Sequence, residues 1–186
     1  MSEDGESLVL HVDQRSSIKA FFANSKIKSK ECFVLFSAWG GRSLCTKVEG
    51  TDPLLREGYD VVCVQSNCDD WHQNVFLYGI DKLKEFLNQN YKIAKGYGSS
   101  MGGFATISYA HILNLKAVLV LSPQFTISES FDKRWIQYNN NIVWHHKAEM
   151  AVKYDGVIRL IYDPLDADAK QAELIRNNLT QATIFC

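Results

Sequence analysis

The sequence has little of what would place it in a specialised class of proteins. Proline occurs three times in 186 residues, and 20 Lys and Arg face 21 Asp and Glu, for a net charge of −1. A nucleic-acid-binding protein needs a basic surplus to displace counterions, so this balance argues against that class. No apolar run approaches the roughly 18 residues of a membrane-spanning helix. The acidic start lacks the basic and apolar segments of a secretory signal, and we expect a cytoplasmic protein.

Cysteine is present, but not in the arrangements that cross-link a domain or bind a metal. The chain has five cysteines, an odd number. No second Cys or His pair follows Cys63 and Cys68 at zinc spacing. Cys32 and Cys63 lie in apolar runs, where a free thiol packs as a small hydrophobe. We therefore expect free thiols and no metal ion, in keeping with a reducing compartment.

Short apolar runs that alternate with helical patterns predict an α/β fold in a single domain over residues 1–186. The apolar runs are 8–12, 32–36, 61–64, 93–97, 117–121, 157–162 and 182–186. The helical patterns cover 76–90, 100–114 and 167–179. Continuous apolar runs are typical of strands buried on both faces, so we expect a mostly parallel sheet with helices on both faces and 8–12 as an edge strand. The carboxyl ends of the parallel strands would meet at one edge, where a ligand binds.

The segment 124–155 interrupts this alternation. It exceeds thirty residues, which is too long for a plain connection. It begins just after Pro123, at the sheet edge expected to bind the ligand. Two interpretations stay open: a lid or substrate-contacting insertion, and an ordinary packing helix with loops.

One motif carries recognisable chemistry, namely Gly98-x-Ser100-x-Gly102 between a predicted strand and a predicted helix. G-x-S-x-G in that context predicts a nucleophile elbow, in which small neighbours let the backbone approach closely. The N–H of Met101, at the helix N-terminus, would then stabilise an oxyanion. The alternatives are a plain Gly/Ser-rich turn and a phosphate-binding loop, but no lysine follows as in a P-loop.

With this motif the sequence resembles the α/β-hydrolase family over about residues 30–186. A second feature agrees, because the predicted strand 33–36 runs into Ser37-Ala38-Trp39-Gly40-Gly41. Many members of the family have His-Gly-x-Gly-Gly there, and the residue after the first Gly supplies the other oxyanion N–H. The resemblance therefore places that donor at Trp39, with Ser37 and Ala38 replacing His and Gly.

The resemblance also implies an acid after the strand 157–162. The family pattern is strand, Gly, two residues, Asp. By that spacing Asp163 replaces the Gly and Asp166 is the acid. Asp163 competes because it leaves the strand directly, and Asp168 is a third candidate. One of the three could instead cap the following helix.

The base is the component that does not appear in the family's order of Ser, acid, His. No histidine follows Asp168. One explanation is that the sequence stops before a His-bearing loop, and this is the one we favour. A second is that His72, His145 or His146 serves as the base, although His72 is better read as a partly exposed loop residue. The third is that the domain is a non-catalytic relative.

These features predict an ester hydrolase that works through an acyl-enzyme on Ser100. Trp39 and Met101 N–H groups would hold the oxyanion, and Asp166 or Asp163 would orient the base. Acyl transfer to a sugar or other alcohol is one alternative, and binding without turnover is another. No cofactor is implied, and the expected partner is a small-molecule or glycan ester. Four tryptophans could line its cleft, namely Trp39, Trp71, Trp135 and Trp144.

Overall fold

An eight-stranded sheet organises the chain. The computed structural model describes residues 6–24, 30–41, 43–148, 153–165, 167–179 and 182–185. The strands are β1 (Ser7–Val12), β2 (Ser16–Phe21), β3 (Glu31–Phe36), β4 (Asp60–Ser66), β5 (Ile93–Ser99), β6 (Ala117–Leu121), β7 (Val157–Ile161) and β8 (Ala182–Phe185). The helices are α1 (Thr51–Arg56), α2 (Gln73–Tyr78), α3 (Ile80–Asn90), α4 (Met101–Tyr109), α5 (Ile136–Asn139) and α6 (Asp168–Asn178), with a 3-10 turn at Lys133–Trp135.

The strand order is β1-β2-β4-β3-β5-β6-β7-β8. All neighbouring pairs from β4 to β8 along this order are parallel, whereas β2 is antiparallel to both β1 and β4. The mostly parallel sheet and the edge position of β1 are therefore confirmed. The strand β2 was not predicted, because polar Ser16 and Ser17 hide the alternation of Ile18 and Ala20 on its core side.

Helices lie on both faces of the sheet, as predicted. The larger core joins one face of the sheet to α2, α3, α4 and α6, while a smaller cluster on the other face packs against α1. The helix predicted over 76–90 is broken at Gly79 into α2 and α3. A Cβ on Gly79 would lie 2.7 Å from the Ile18 Cδ1 atom, so the glycine lets this junction press against β2.

The parallel strands bring several connecting segments to one edge of the sheet. Residues 37–41 follow β3, residues 67–72 follow β4, Ser100 follows β5, and residues 122–148 begin at the end of β6. These segments contain most of the residues that the sequence singled out. In the part of the chain that the structure describes, no helix is both long and apolar enough to cross a membrane.

Candidate active site

Ser100 lies on the turn between β5 and α4 in a strained backbone conformation. Its φ is 52° and its ψ is −120°, a region that costs a non-glycine residue about 1–3 kcal/mol. Backbone hydrogen bonds hold the turn from both sides. Ser100 N–H donates to the Leu121 carbonyl at 2.9 Å, and Phe104 N–H donates to the Ser100 carbonyl at 3.1 Å. The strained residue is therefore anchored to β6 and to its own helix.

Glycines make this turn sterically possible. A Cβ on Gly98 would collide with the Gly102 carbonyl, and a Cβ on Gly102 would collide with the Phe36 carbonyl. A Cβ on Gly103 would lie 2.7 Å from the Pro123 Cβ. The start of α4 is consequently in direct contact with the end of β3 on one side and with the segment after β6 on another.

Residues 37–41, predicted to supply an oxyanion donor, are held by hydrogen bonds to the end of β4 and to the segment that follows it. Gly40 N–H donates to Asp69 Oδ1 at 3.0 Å, and Ser66 N–H donates to Ser37 Oγ at 3.3 Å. Met101 is the first residue of α4, so its N–H has no acceptor within the helix. Because Gly102 touches the Phe36 and Ser37 carbonyls, the two segments that carry the predicted donors lie side by side.

The segment after β4 is itself strained. Asp69, Trp71 and His72 have φ values of 49°, 51° and 60°. The expectation that His72 is a partly exposed loop residue is wrong, because its side chain is completely buried and packs edge-on against Phe36 at 5.5 Å. His72 Nε2 lies 2.9 Å from the Ser37 carbonyl oxygen. This strained turn therefore contacts residues 37–41 through two hydrogen bonds, one to Asp69 and one from His72.

The tautomer of His72 follows from its partners. Burial lowers the pKa of His72, which favours the neutral ring. A carbonyl oxygen can only accept, so Nε2 carries the proton and donates to Ser37. The Nδ1 atom is buried and has no hydrogen-bond partner among the described residues. His72 is thus a structural donor to the Ser37 carbonyl, and no hydrogen bond joins it to Ser100 among the described residues.

The direct partner of Ser100 is a residue that the sequence reasoning missed. Gln124 Nε2 donates to Ser100 Oγ at 2.9 Å, and Gln124 is only 2% exposed. Gln124 follows β6, the strand beside β5, at the carboxyl edge of the sheet. That position was a usable signal, because side chains after adjacent parallel strands meet there.

No histidine side chain is hydrogen-bonded to Ser100 among the described residues, which include all five histidines. His145 is exposed, and its backbone N–H donates to Gln73. His146 is buried, lies 2.8 Å from the Ser108 carbonyl and stacks on Phe76. Ser108 is eight residues along α4 from Ser100, or about 12 Å of helix. The structure therefore does not bring either insertion histidine to the serine.

The three candidate acids lie in different environments. Asp166 falls outside the described residues. Asp163 is exposed and accepts a hydrogen bond from Leu165 N–H at 2.9 Å, which closes a turn. Asp168 is buried at the start of α6 and accepts from Arg134 Nη2 at 2.9 Å. One of the three acids is thus engaged with the insertion, and another closes a local turn.

The insertion covers part of this edge with aromatic side chains. Trp135 packs against Trp71 at 5.4 Å, and Tyr138 packs against Trp39 at 5.8 Å between ring centroids. The indole N–H groups of Trp71 and Trp135 are buried and have no hydrogen-bond partner among the described residues. Trp144 lies elsewhere, packed on Phe104 of α4. Three of the four tryptophans are therefore brought together and the fourth is not.

A cavity of about 380 Å³ opens beside residues 37–41. Its wall includes Ser99, the residue before Ser100, and Trp39, which is 42% exposed. Polar side chains also line it, among them Lys47, Glu49 and Gln65. A volume of this order suits a small-molecule ligand.

Side chains of metal-ligating types and thiols can be located in the described ranges. No group of three or more His, Cys, Asp or Glu side chains there is arranged to hold a metal ion. Cys32, Cys45, Cys63 and Cys68 are free thiols. Burial raises the pKa of the Cys63 thiol, so it stays protonated and packs as an apolar group.

Comparison with known proteins adds structural likeness and no sequence likeness. No protein-family model and no curated protein sequence matches this chain. The capsule O-acetyltransferase of Neisseria meningitidis serogroup A superposes with a TM-score of 0.68 at 12% identity, over 94% of this chain and 84% of that one. Est1E from Butyrivibrio proteoclasticus, in a structure with bound ferulic acid, gives 0.65 at 11% identity, over 96% and 88%. The esterase domain of a Rhodothermus marinus protein gives 0.64 at 14%, over 97% and 85%.

At these identities the likeness is one of fold, and it agrees with the topology. The sheet is mostly parallel, with the antiparallel β2 next to one edge, and Ser100 stands at the strand-to-helix turn after β5. Solved structures with a similar fold include esterases, lipolytic enzymes, an O-acetyltransferase and a dipeptidyl peptidase. The chain has the α/β-hydrolase fold.

Proposed function

We propose that the chain is an ester hydrolase whose nucleophile is Ser100. The observation that carries this proposal is the strained backbone of Ser100 at the junction of β5 and α4. The start of that helix lies against the segment after β3, so the two elements that carry the proposed N–H donors, Met101 and Trp39, are neighbours. Strain held in place by surrounding packing is typical of functional sites.

In the proposed reaction, Ser100 Oγ attacks the acyl carbon of a carboxylic ester while a general base takes the hydroxyl proton. The N–H groups of Trp39 and Met101 hold the negative charge on the carbonyl oxygen. The alcohol leaves with the proton, and an acyl-enzyme remains. Water then attacks the acyl carbon, and the proton returns to Oγ through the base. Asp166 or Asp163 is the proposed acid that orients the base.

Acyl transfer is the same chemistry with an alcohol in place of water. The O-acetyltransferase among the structural neighbours supports this version. The polar wall of the 380 Å³ cavity, with Lys47, Glu49 and Gln65 beside the partly exposed Trp39, also favours a hydroxyl-rich alcohol such as a glycan. Polar side chains next to an aromatic ring can bind the hydroxyl groups and the apolar face of a sugar.

We further propose that the insertion 124–155 acts as a lid or substrate-contacting element. Its Trp135 and Tyr138 pack on Trp39, which belongs to the proposed oxyanion segment. Movement of the insertion would expose these aromatic faces and the two unpartnered indole N–H groups to a substrate.

Binding without turnover is the second candidate function. The observation that favours it is specific: none of the five histidines is hydrogen-bonded to Ser100 in the described part of the chain. A serine hydroxyl without a base is a weak nucleophile.

Labelling with a fluorophosphonate probe separates the two candidates. We expect the wild-type protein to form an adduct and Ser100→Ala to form none, as measured by intact-protein mass spectrometry. Ser108→Ala is the matched control, because Ser108 is a buried serine within α4 whose hydroxyl has no hydrogen-bond partner among the described residues. A folded wild-type protein that stays unlabelled would contradict the hydrolase and favour binding without turnover.

A further inference from the structure

The segment after β6 holds Gln124 rigidly. Ser122 has a φ of 42°, an unusual value for a non-glycine residue, and its N–H donates to the Ile161 carbonyl at 2.8 Å. Pro123 has its own φ restricted by its ring and abuts Gly103 of α4. On the other side, Phe125 N–H donates to Gln171 Oε1 at 2.8 Å. Gln124 is therefore fixed on a strained and tightly packed stretch of backbone.

The buried position of the Gln124 side chain is energetically unfavourable for one of its two polar atoms. It is 2% exposed, and its Oε1 atom is buried with no partner among the described residues. An unsatisfied buried acceptor is normally avoided in proteins. Among the described residues, the Gln124 side chain makes one hydrogen bond, which its Nε2 donates to Ser100 Oγ at 2.9 Å. The only polar interaction of the Gln124 side chain within the described residues is thus with Ser100 Oγ, the proposed nucleophile.

We propose that Gln124 is a further catalytic residue, one that acts by donating a hydrogen bond to Ser100 Oγ throughout the reaction. This inference rests on the proposed function of Ser100. The hydroxyl oxygen has one proton and two lone pairs. The Gln124 N–H occupies one lone pair, which leaves the other for attack on the acyl carbon and the proton for the general base.

The hydrogen bond strengthens whenever negative charge develops on Oγ. During attack, the bond to the acyl carbon forms as the O–H bond breaks, and the proton passes to the base. In the acyl-enzyme Oγ is an ester oxygen and accepts only weakly. During deacylation the Oγ–acyl bond breaks, Oγ again gathers charge, and the base returns the proton. Gln124 transfers no proton, and its donor is aimed in advance at the place where charge appears.

The test compares the second-order rate constant for fluorophosphonate labelling in wild type and Gln124→Met. Methionine keeps the length and volume of the side chain and removes the donor. We expect a rate about tenfold lower, the equivalent of one hydrogen bond. Gln73→Met is the matched control. Gln73 is an equally buried glutamine that bonds the backbone of His145 and His146 in the insertion. We expect this control to melt at a lower temperature and to label within twofold of wild type.

Gln124→Glu supplies a signature that a purely structural role would not produce. Its carboxylate cannot donate, and its negative charge opposes the charge developing on Oγ. Burial raises the pKa of such a carboxyl group, so mild acid protonates it and restores an O–H donor. The ratio of the Gln124→Glu rate to the wild-type rate should therefore rise as the pH falls.

Three results overturn the inference, and they are distinguishable. If wild type and Gln124→Met label at equal rates, the role of Gln124 falls and the proposed function of Ser100 stands. If the Gln124→Glu to wild-type ratio stays flat with pH, the donor mechanism falls. If wild type does not label at all, both the proposed function and the catalytic role of Gln124 fall together.

Discussion

Among single residues, Gly102 matters because its lack of a side chain lets α4 approach the end of β3. Its Cα faces the Phe36 and Ser37 carbonyl oxygens, and any Cβ would meet the backbone of β3's end. Backbone cannot move aside as the tip of a flexible side chain can. The contact therefore links the helix that follows Ser100 to the segment that carries Trp39.

Gly102→Ala should push these two elements apart. We expect the free energy of unfolding to fall by about 1–3 kcal/mol, the usual cost of overpacking, and fluorophosphonate labelling of the folded variant to be lost. Gly58→Ala is the control, because a Cβ there meets nothing within 4 Å and only the positive φ of 87° causes strain. The control should lose stability and still label. Wild-type labelling by Gly102→Ala would contradict the proposed role of this contact.

At the scale of elements, one charged cluster fastens the insertion to α6. Arg134 donates to Asp132 through Nε and Nη2, at 3.0 and 2.7 Å, and Nη2 also donates to Asp168 at 2.9 Å. Gln171 of α6 donates to Asp132 at 3.1 Å. Although burial raises the pKa of Asp132, the hydrogen bonds from Arg134 and Gln171 outweigh it and lower that pKa. Trp135, which packs on Trp39, directly follows Arg134 and is therefore held close to this charged cluster.

Arg134→Met should loosen the insertion, because it leaves two buried carboxylates without their cation. We expect a loss of about 1–2 kcal/mol in unfolding free energy, between the values typical of exposed and of buried ion pairs. Limited proteolysis should cut within 124–148 faster than in wild type. The control is Lys133→Met, which changes an exposed neighbouring cation. Equal cleavage rates in the two variants would show that the cluster does not hold the insertion.

At the scale of the whole molecule, two buried histidines connect stability to pH. His72 is completely buried and His146 is 9% exposed. Burial lowers the pKa of both. The folded protein therefore resists protonation at these rings, while the unfolded chain takes up protons below about pH 6.5. Because the unfolded state then binds more protons, stability falls as the pH falls.

Denaturant unfolding at pH 7.5, 6.5 and 5.5 should show this loss. Each histidine contributes a slope of up to about 1.4 kcal/mol per pH unit below its unfolded pKa. His72→Gln should make the slope shallower, since the amide can still donate to the Ser37 carbonyl but does not titrate. His111→Gln, at an exposed position, is the control and should keep the wild-type slope. An unchanged slope in His72→Gln would remove His72 as a source of the pH dependence.

Much of the fold was predictable from local patterns. The seven apolar runs correspond to seven of the eight strands. The expectation that these strands are buried on both faces is wrong for β1, β7 and β8, which leave several apolar side chains exposed. The strand β2 was missed because polar Ser16 and Ser17 interrupt its apolar pattern. The helix α1 was missed because its six residues are fewer than two helical turns and show too little periodicity to be recognised.

Local sequence patterns were enough to predict most of the parallel sheet and the turn at Ser100, because apolar runs, helical spacing and the glycines around one serine are properties of neighbouring residues. Three contacts arise only when the chain is folded: Gln124 with Ser100, His72 with the Ser37 carbonyl, and Arg134 with Asp168 of α6. These contacts join residues 24, 35 and 34 positions apart in the chain. No local pattern encodes such a distance, because the packing of strands and helices brings the partners together.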